Sequence, residues 1–263
     1  MKIIASRDNP LFKQLRGLIQ DPRDIKKQGK TVLDGPHLVA AYRQSIGLPE
    51  LLVVSESGLA RNEIQQLLAD HQPLQAVCFK DALFKELSPA ESPAGILSLI
   101  PIPADKDDTP SGDCLVLDAL QDAGNVGTLL RSAAAFGVGD IYMGIGCAGA
   151  WTPKVLRAAQ GAHFSLRIRE RCDLAAVLKN FKGMRLATVV QEAESLYRMR
   201  FEGPVAWAIG SEGQGLAAGL LALCDHRVTI PMSRACESLN AAVAASICLA
   251  ERARQKENHH EDN

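Results

Sequence analysis

No apolar run in the chain approaches 18 residues, which excludes a membrane-spanning helix. No apolar core of signal-peptide type stands near the N-terminus, so a cytoplasmic protein away from membranes is expected. The seven cysteines (Cys78, Cys114, Cys147, Cys172, Cys224, Cys236, Cys248) include no C-x-x-C pair, and their odd number and wide spacing argue against a zinc site or a disulfide framework. Buried free thiols in a reducing compartment fit better, and no metal-ligand set is expected. The six histidines are scattered, with His259 and His260 in a polar tail. Charge excess is absent too: a net charge of −1 opposes indiscriminate nucleic-acid binding. Its distribution is uneven, however. Residues 1–30 carry eight basic side chains against three acidic, and Arg167, Arg169 and Arg171 form a second cluster. Each is either solvated surface or a phosphate-binding face.

What is present is an alternation of β-like and helical patterns. Asn9-Pro10 is a helix start, Asn9 capping and Pro10 at the first helical position. Strands are expected at 31–33, 51–54, 76–79 and 96–100, with helices at 37–43, 61–69 and 82–87 between them. Residues 1–100 read as a small α/β domain, and the proline- and acid-rich stretch 101–113 as a linker. From 114 to 255 the alternation is clearer. Strands are expected at 114–117, 141–143, 164–168, 186–190, 205–209 and 227–230, and helices at 126–136, 154–159, 174–180, 216–223 and 240–254. Residues 256–263 read as the polar tail. The pattern is that of a parallel sheet whose ligand sits beyond the C-terminal strand ends.

Three of those strand ends carry polar loops. After 114–117 come Asp118, then Gln121-Asp122-Ala123-Gly124-Asn125, then an alanine-rich helix holding Arg131. An arginine in such a helix either pairs or aims its donors at an anion or carbonyl; a capping Asn with a structural Arg is the plainer alternative. After 205–209 comes Gly210-Ser211-Glu212-Gly213-Gln214-Gly215, glycine-rich enough for close backbone approach to a ligand, or for a tight turn alone. No Gly-Lys-Ser/Thr follows, and Ser211 is not centred in G-x-S-x-G, so neither a P-loop nor a nucleophile elbow is present. After 227–230, closed by Pro231, Glu237, Ser238 and Asn240 surround Leu239, with Leu239, Val243 and Ile247 recurring every fourth residue beyond. Gly144-Ile145-Gly146-Cys147-Ala148-Gly149 formally matches a dinucleotide fingerprint with Glu170 as its acid. Trp151-Thr152-Pro153 intervenes before any helix, which removes the helix N-terminus a pyrophosphate needs.

Taken together, Asn125–Val138, Gly210–Leu216 and Ile230-Pro231-Met232 with Glu237–Asn240 resemble the three ordered motifs of the SpoU (TrmH-type) RNA ribose 2′-O-methyltransferases of the SPOUT superfamily. Thr152–Arg157 with Gly161-Ala162 resembles a further family segment. Residues 1–100 are similar, less specifically, to the family's N-terminal substrate-binding domain. The resemblance implies an α/β fold with a C-terminal trefoil knot, S-adenosylmethionine as cofactor, and a homodimer acting on RNA. It implies that Gly210, Ile230, Met232 and Leu239, with Thr188 a further candidate, line the cofactor pocket. It also implies that Asn125 and Arg131 lie near the partner's share of the active site. Arg234, where relatives often have glycine, is the departure without a role; Asp34-Gly35, Ala123 and Ala159 are milder ones.

Methyl transfer to a ribose hydroxyl is an in-line displacement whose difficulty is the weakly acidic hydroxyl. Arginine is essentially always protonated, so Arg131 is expected to stabilise developing alkoxide charge and not to act as a base. Asn125 is expected to position the ribose or a phosphate, and Glu212, Ser238 and Asn240 to hold Arg131 and the loop. A separate N-terminal domain with a basic face favours rRNA over tRNA. An RNA-binding module with a decayed methyltransferase site is the alternative of a different class.

Overall fold

The computed structural model describes residues 1–70, 75–88, 92–104, 110, 112–233 and 235–261, without the side chains of 259–261. Two compact units emerge: residues 1–104 with 151–164, and residues 105–150 with 165–263.

The first unit runs β1 (Lys2–Ile4), α1 (Pro10–Gln20), α2 (Pro22–Gln28), β2 (Lys30–Asp34), α3 (Pro36–Ser45), β3 (Leu51–Ser55), α4 (Asn62–Asp70), β4 (Ala76–Phe79), α5 (Asp81–Leu87) and β5 (Ile96–Pro101). The sheet order is β1-β4-β3-β5-β2, with β5 antiparallel to both neighbours and the other pairs parallel. Asn9 caps α1 as expected, its Oδ1 accepting from Leu11 N at 2.9 Å. β1 and α2 were not expected; β1 has three residues, and only Ile25 of α2 is buried, so neither leaves a periodic apolar signal. Much of the N-terminal basic cluster is neutralised locally, by Arg7–Glu86, Lys13–Asp8, Arg23–Asp21 and Lys30–Glu50 pairs. Lys2, Arg16, Lys26 and Lys27 are its members without an ion pair among the described residues.

Residues 151–164, expected to lie within the second domain, pack with the first unit instead. Their helix, Pro153–Ala159, is tied down by Arg157 Nη2 donating to Asp34 Oδ2 at 2.9 Å and by Thr31 Oγ1 donating to Trp151 O at 2.6 Å. Phe164 stacks edge-on against Tyr42 at 5.3 Å.

The second unit holds β6 (Cys114–Leu117), α6 (Ala123–Ala135) and β7 (Asp140–Met143); the chain leaves through the helix just described, α7, and returns as β8 (Arg167–Arg169). It continues with α8 (Leu174–Asn180), β9 (Met184–Thr188), β10 (Glu194–Ser195), β11 (Val205–Ile209), α9 (Ala218–Leu221), β12 (His226–Thr229) and α10 (Ala241–Glu261). The seven strands are ordered β10-β12-β9-β11-β6-β7-β8 and every adjacent pair is parallel. β6 and β11 are buried throughout, as a sheet covered on both faces requires, with Trp207 at 0% exposure in the middle.

Several boundaries move. The strand expected from 164 starts at Arg167, because His163 is buried against Trp151 in a 3-10 turn at Ala162–Ser165. The helix expected over 216–223 shrinks to Ala218–Leu221. α10 runs well past the expected 254, so the polar tail is helical to 261. Its buried side is not the expected Leu239–Val243–Ile247 repeat. Ala242, Ala245, Cys248 and Leu249 are buried, whereas Val243 is 47% exposed. Small residues let α10 approach α6: Ser246 Oγ donates to Ala242 O, which leaves Ser132 Oγ as the donor to Ser246 Oγ at 2.7 Å. Asp113, at the end of the expected linker, is also core. It is buried and paired with Arg252 Nε at 2.9 Å and Lys256 Nζ at 2.9 Å. Arg167 and Arg169 of the second basic cluster both pair with buried Asp140, so they serve the fold.

Candidate active site

β12, β9, β11 and β6 are consecutive in the parallel sheet, so the loops leaving their C-terminal ends meet in one place. The β6 and β11 loops are braced at their roots. Asp118 N donates to Ile209 O at 2.9 Å, and Asp118 Oδ2 accepts from Ala217 N at 2.9 Å. Asp122 Oδ1 caps α6 by accepting from Asn125 N at 2.8 Å. The cap is thus Asp122, which frees the Asn125 carboxamide for other work.

That work is a triangle drawn from all three loops. Asn125 Nδ2 donates to Glu212 Oε1 at 2.7 Å, Asn240 Nδ2 donates to the same oxygen at 2.7 Å, and Asn240 Nδ2 also donates to Asn125 Oδ1 at 3.0 Å. Asn240 keeps its own Oδ1 for α10, accepting from Ala242 N at 3.0 Å and Val243 N at 3.2 Å. Glu212 therefore holds Asn125 and Asn240 within this chain, and Arg131 is not among its partners in the described residues.

Beside the triangle lies a cavity of ≈ 510 Å³, within the usual range of small-molecule sites (about 300–1,000 Å³). Thr188, Gly210, Ile230, Met232 and Leu239 all line it. So do Ser238 and the triangle members Glu212 and Asn240. Gly210 is there of necessity: a Cβ would meet Gly215 C and Leu216 N at 2.1 Å, because Ser211 and Gly215 close the loop with two backbone hydrogen bonds. The Thr188 hydroxyl is buried and lacks a hydrogen-bond partner among the described residues, apart from a weak approach by the Cys248 thiol. Burial pushes that thiol up to about 12, which keeps it protonated and unreactive. A second cavity of ≈ 390 Å³ shares the wall Ser211–Gln214 with the first and includes Asn125. The sequence alone did not single out this second space. The signal for it was the polar pair Gln121-Asp122 soon after β6, which the structure sets beyond a left-handed Ala119 (φ 52°).

Arg131 lines neither cavity. It is exposed, on the face of α6 that also carries Thr128 and Ala135, and its side chain has no partner among the described residues. Arg234 lies outside the described residues. Glu170 is not poised for a ribose, since its Oε1 accepts from Ala150 N at 2.7 Å. Among the described residues no group of histidine, cysteine and acidic side chains could hold a metal, and no helix is long and apolar enough to cross a membrane.

Comparison with known proteins matches residues 113–250 to the model of the SpoU rRNA methylase family. The chain belongs to the SpoU rRNA methylase family. An uncharacterized tRNA/rRNA methyltransferase of Synechocystis sp. is 35% identical to this SpoU chain, over 96% of it and 94% of the relative. The 23S rRNA (guanosine(2553)-2′-O)-methyltransferase RlmP of Bacillus subtilis is 29% identical, over 94% and 97% of the two chains. The crystal structure of the SpoU methyltransferase AviRb from Streptomyces viridochromogenes, in complex with AdoMet, superposes with a TM-score of 0.85 at 25% identity. That superposition covers 94% of this chain and 98% of AviRb. SpoU membership removes the dinucleotide-binding alternative. The larger cavity fits S-adenosylmethionine in the chemistry of its lining, where apolar Ile230 and Leu239 stand beside Thr188 and Gly210.

Proposed function

We propose that this protein methylates a ribose 2′-hydroxyl in structured RNA, with rRNA preferred over tRNA. The observation that carries the reading is the Asn125–Glu212–Asn240 triangle standing at the wall of the ≈ 510 Å³ cavity. S-adenosylmethionine, when bound, supplies an electrophilic methyl group that needs no metal. Gly210, Ile230, Met232, Leu239 and Thr188 hold it, much of the contact through the main chain. Asn125, fixed by Glu212 and Asn240, orients the acceptor ribose. Such fixing shortens the search for an in-line approach and is worth several kcal/mol in well-aligned reactions (about 7–11 at most). Ser238, exposed on the cavity rim, completes the loop toward the ribose.

The exposed Arg131 fits a homodimer. Arg131 is exposed on α6 and Val243 is 47% exposed on α10, the helix joined to α6 through Ser132 and Ser246; pairing this part of the surface with its copy covers Val243 and carries Arg131 to the partner's site. There its guanidinium stabilises charge developing on the 2′-oxygen. The C-terminal trefoil knot belongs to the same reading, supported by likeness to a SpoU structure. The rRNA preference draws on the family description and on RlmP, and a cytoplasmic location on the kind of substrate.

The deciding experiment maps 2′-O-methyl groups in total RNA from cells with and without this gene. Loss of methylation at an rRNA nucleotide is expected. Loss confined to tRNA would overturn the rRNA preference. A purified protein without affinity for S-adenosylmethionine in calorimetry would instead be a binding module with a decayed site.

A further inference from the structure

We infer that the ≈ 390 Å³ cavity seats the base of the acceptor nucleotide, and that Gln121 and Gln214 read its hydrogen-bonding edge. This rests on the methyl-transfer reading above. In a nucleotide the base hangs from the ribose carbon next to the one bearing the 2′-hydroxyl. A hydroxyl presented to the larger cavity therefore puts its base in whatever space adjoins that cavity, and the loop Ser211–Gln214 is a wall common to both.

The chemistry of the second cavity suits a base and not a phosphate. No lysine or arginine among the described residues lines it, and Asp122 and Glu212 contribute two carboxylates, which repel a phosphate. The other polar side chains are already engaged: Asp122 caps α6, Asn125 and Glu212 bind each other, and Ser211 Oγ accepts from Gln214 N at 3.3 Å. The Gln121 and Gln214 side chains have no partner among the described residues. A carboxamide offers a donor and an acceptor side by side, the bidentate complement of a base edge.

Gln121 also stands on a stiff support. Ala119 before it adopts a left-handed conformation, and Leu120 is 2% exposed and accepts at its carbonyl from Ala148 N at 2.8 Å. Gly146 lies against Ala119, where a Cβ would make an ordinary van der Waals contact at 3.4 Å. A reading side chain needs such a fixed mount.

The test uses the full-length protein, tritiated S-adenosylmethionine, and an RNA fragment spanning the mapped nucleotide in four versions, one per base. The readout is the ratio of kcat/KM for the native base to that for each other base. Wild-type protein is expected to discriminate, and the Gln121→Ala/Gln214→Ala variant to lose about tenfold of that ratio, the scale of one bidentate base contact. Gln214 also lines the larger cavity, so Gln121→Ala alone serves as the control: its Kd for S-adenosylmethionine, measured by calorimetry, stays near wild type and shows that the fold and donor cavity survive. Unchanged discrimination in the variant overturns the inference, as does a wild-type protein that methylates all four versions equally. A wild-type protein that binds S-adenosylmethionine yet methylates no RNA overturns the methyl-transfer reading itself.

Discussion

Asn240 Nδ2 donates to Asn125 Oδ1 at 3.0 Å across 115 residues of sequence, and both amides point their remaining donor capacity at Glu212 Oε1. Asn240 thus does two separable jobs. Its oxygen caps α10 and its nitrogen fixes the acceptor side of the site.

Substitution can separate them. Asn240→Ala loses the cap, at a cost of about 1 kcal/mol, which for a chain of this size lowers Tm by about 2–4 °C. Asn240→Asp retains a capping oxygen but presents a carboxylate to Glu212 and no N–H. It is expected to lower Tm less than the alanine variant while losing about tenfold or more in single-turnover methylation, since charge-assisted hydrogen bonds of this kind are worth about 1.5–3 kcal/mol. Thermal melts alongside rapid-quench assays read both quantities; an aspartate variant with the wild-type rate would remove the triangle from the mechanism.

Two glycines of the β11 loop should respond oppositely. A Cβ at Gly210 collides with backbone atoms at 2.1 Å, whereas one at Gly213 meets nothing within 4 Å. Gly210→Ala must push the closed Ser211–Gly215 turn into the donor cavity, an overpacking worth about 1–3 kcal/mol, hence about tenfold or more in affinity for S-adenosylmethionine. Gly213→Ala should bind as wild type does. Calorimetry on the two variants decides; equal affinities would mean the loop does not shape the donor cavity.

The three loops were legible in sequence because each is a contiguous polar run after an apolar strand. That pattern points to a ligand site at the strand ends, whereas the assignment of Gly210, Ile230 and Leu239 to a cofactor cavity came from the resemblance to the SpoU family. Who holds whom was not legible. Glu212 reaches partners 87 and 28 residues away, and no local period encodes that choice. Periodicity also misjudged α10, where Leu239, Val243 and Ile247 looked like the core stripe. Ala242 and Ala245 are buried and Ser246 meets Ser132 of α6 instead, because close helix approach rewards small side chains over large ones. Asp113 was hidden in a proline- and acid-rich run. Its partner Arg252 lies 139 residues on, near the end of the helix expected over 240–254.

That pair sets an acid limb for stability. Burial pushes the Asp113 carboxyl up, but hydrogen bonds from Arg252 and Lys256, together with their charge, outweigh it and hold it below the ordinary aspartate range. A folded-state value below the unfolded one means the stabilisation is complete above about pH 4 and is lost as pH falls through the depressed value. Asp113→Asn leaves Arg252 buried against the carbonyls of Phe201 and Gly203 without a counter-charge. A deficit of about 3–5 kcal/mol is expected at neutral pH, the usual penalty for breaking a buried pair. Urea denaturation between pH 7 and pH 3 should show that deficit shrinking toward acid. A deficit independent of pH would mean that the charge is not what holds α10 to this end of the sheet.

Whether Arg131 serves its own site or its neighbour's can be read by mixing two crippled chains. Arg131→Ala lacks the guanidinium but keeps its donor cavity; Gly210→Ala loses the cavity but keeps the guanidinium. Co-expression with separable tags gives dimers of which about half are mixed. If Arg131 acts across the two-fold axis, one of the two sites in each mixed dimer is whole, which gives about a quarter of wild-type methylation. If it acts within its own chain, no site in any dimer is whole and the mixture stays as inactive as its parents. Val243→Asp places a charge on the exposed α10 face and should yield monomers in sedimentation that bind S-adenosylmethionine but transfer no methyl group. An active monomer would show that Arg131 reaches the ribose without a partner, and the exposed α6–α10 face would then need another explanation.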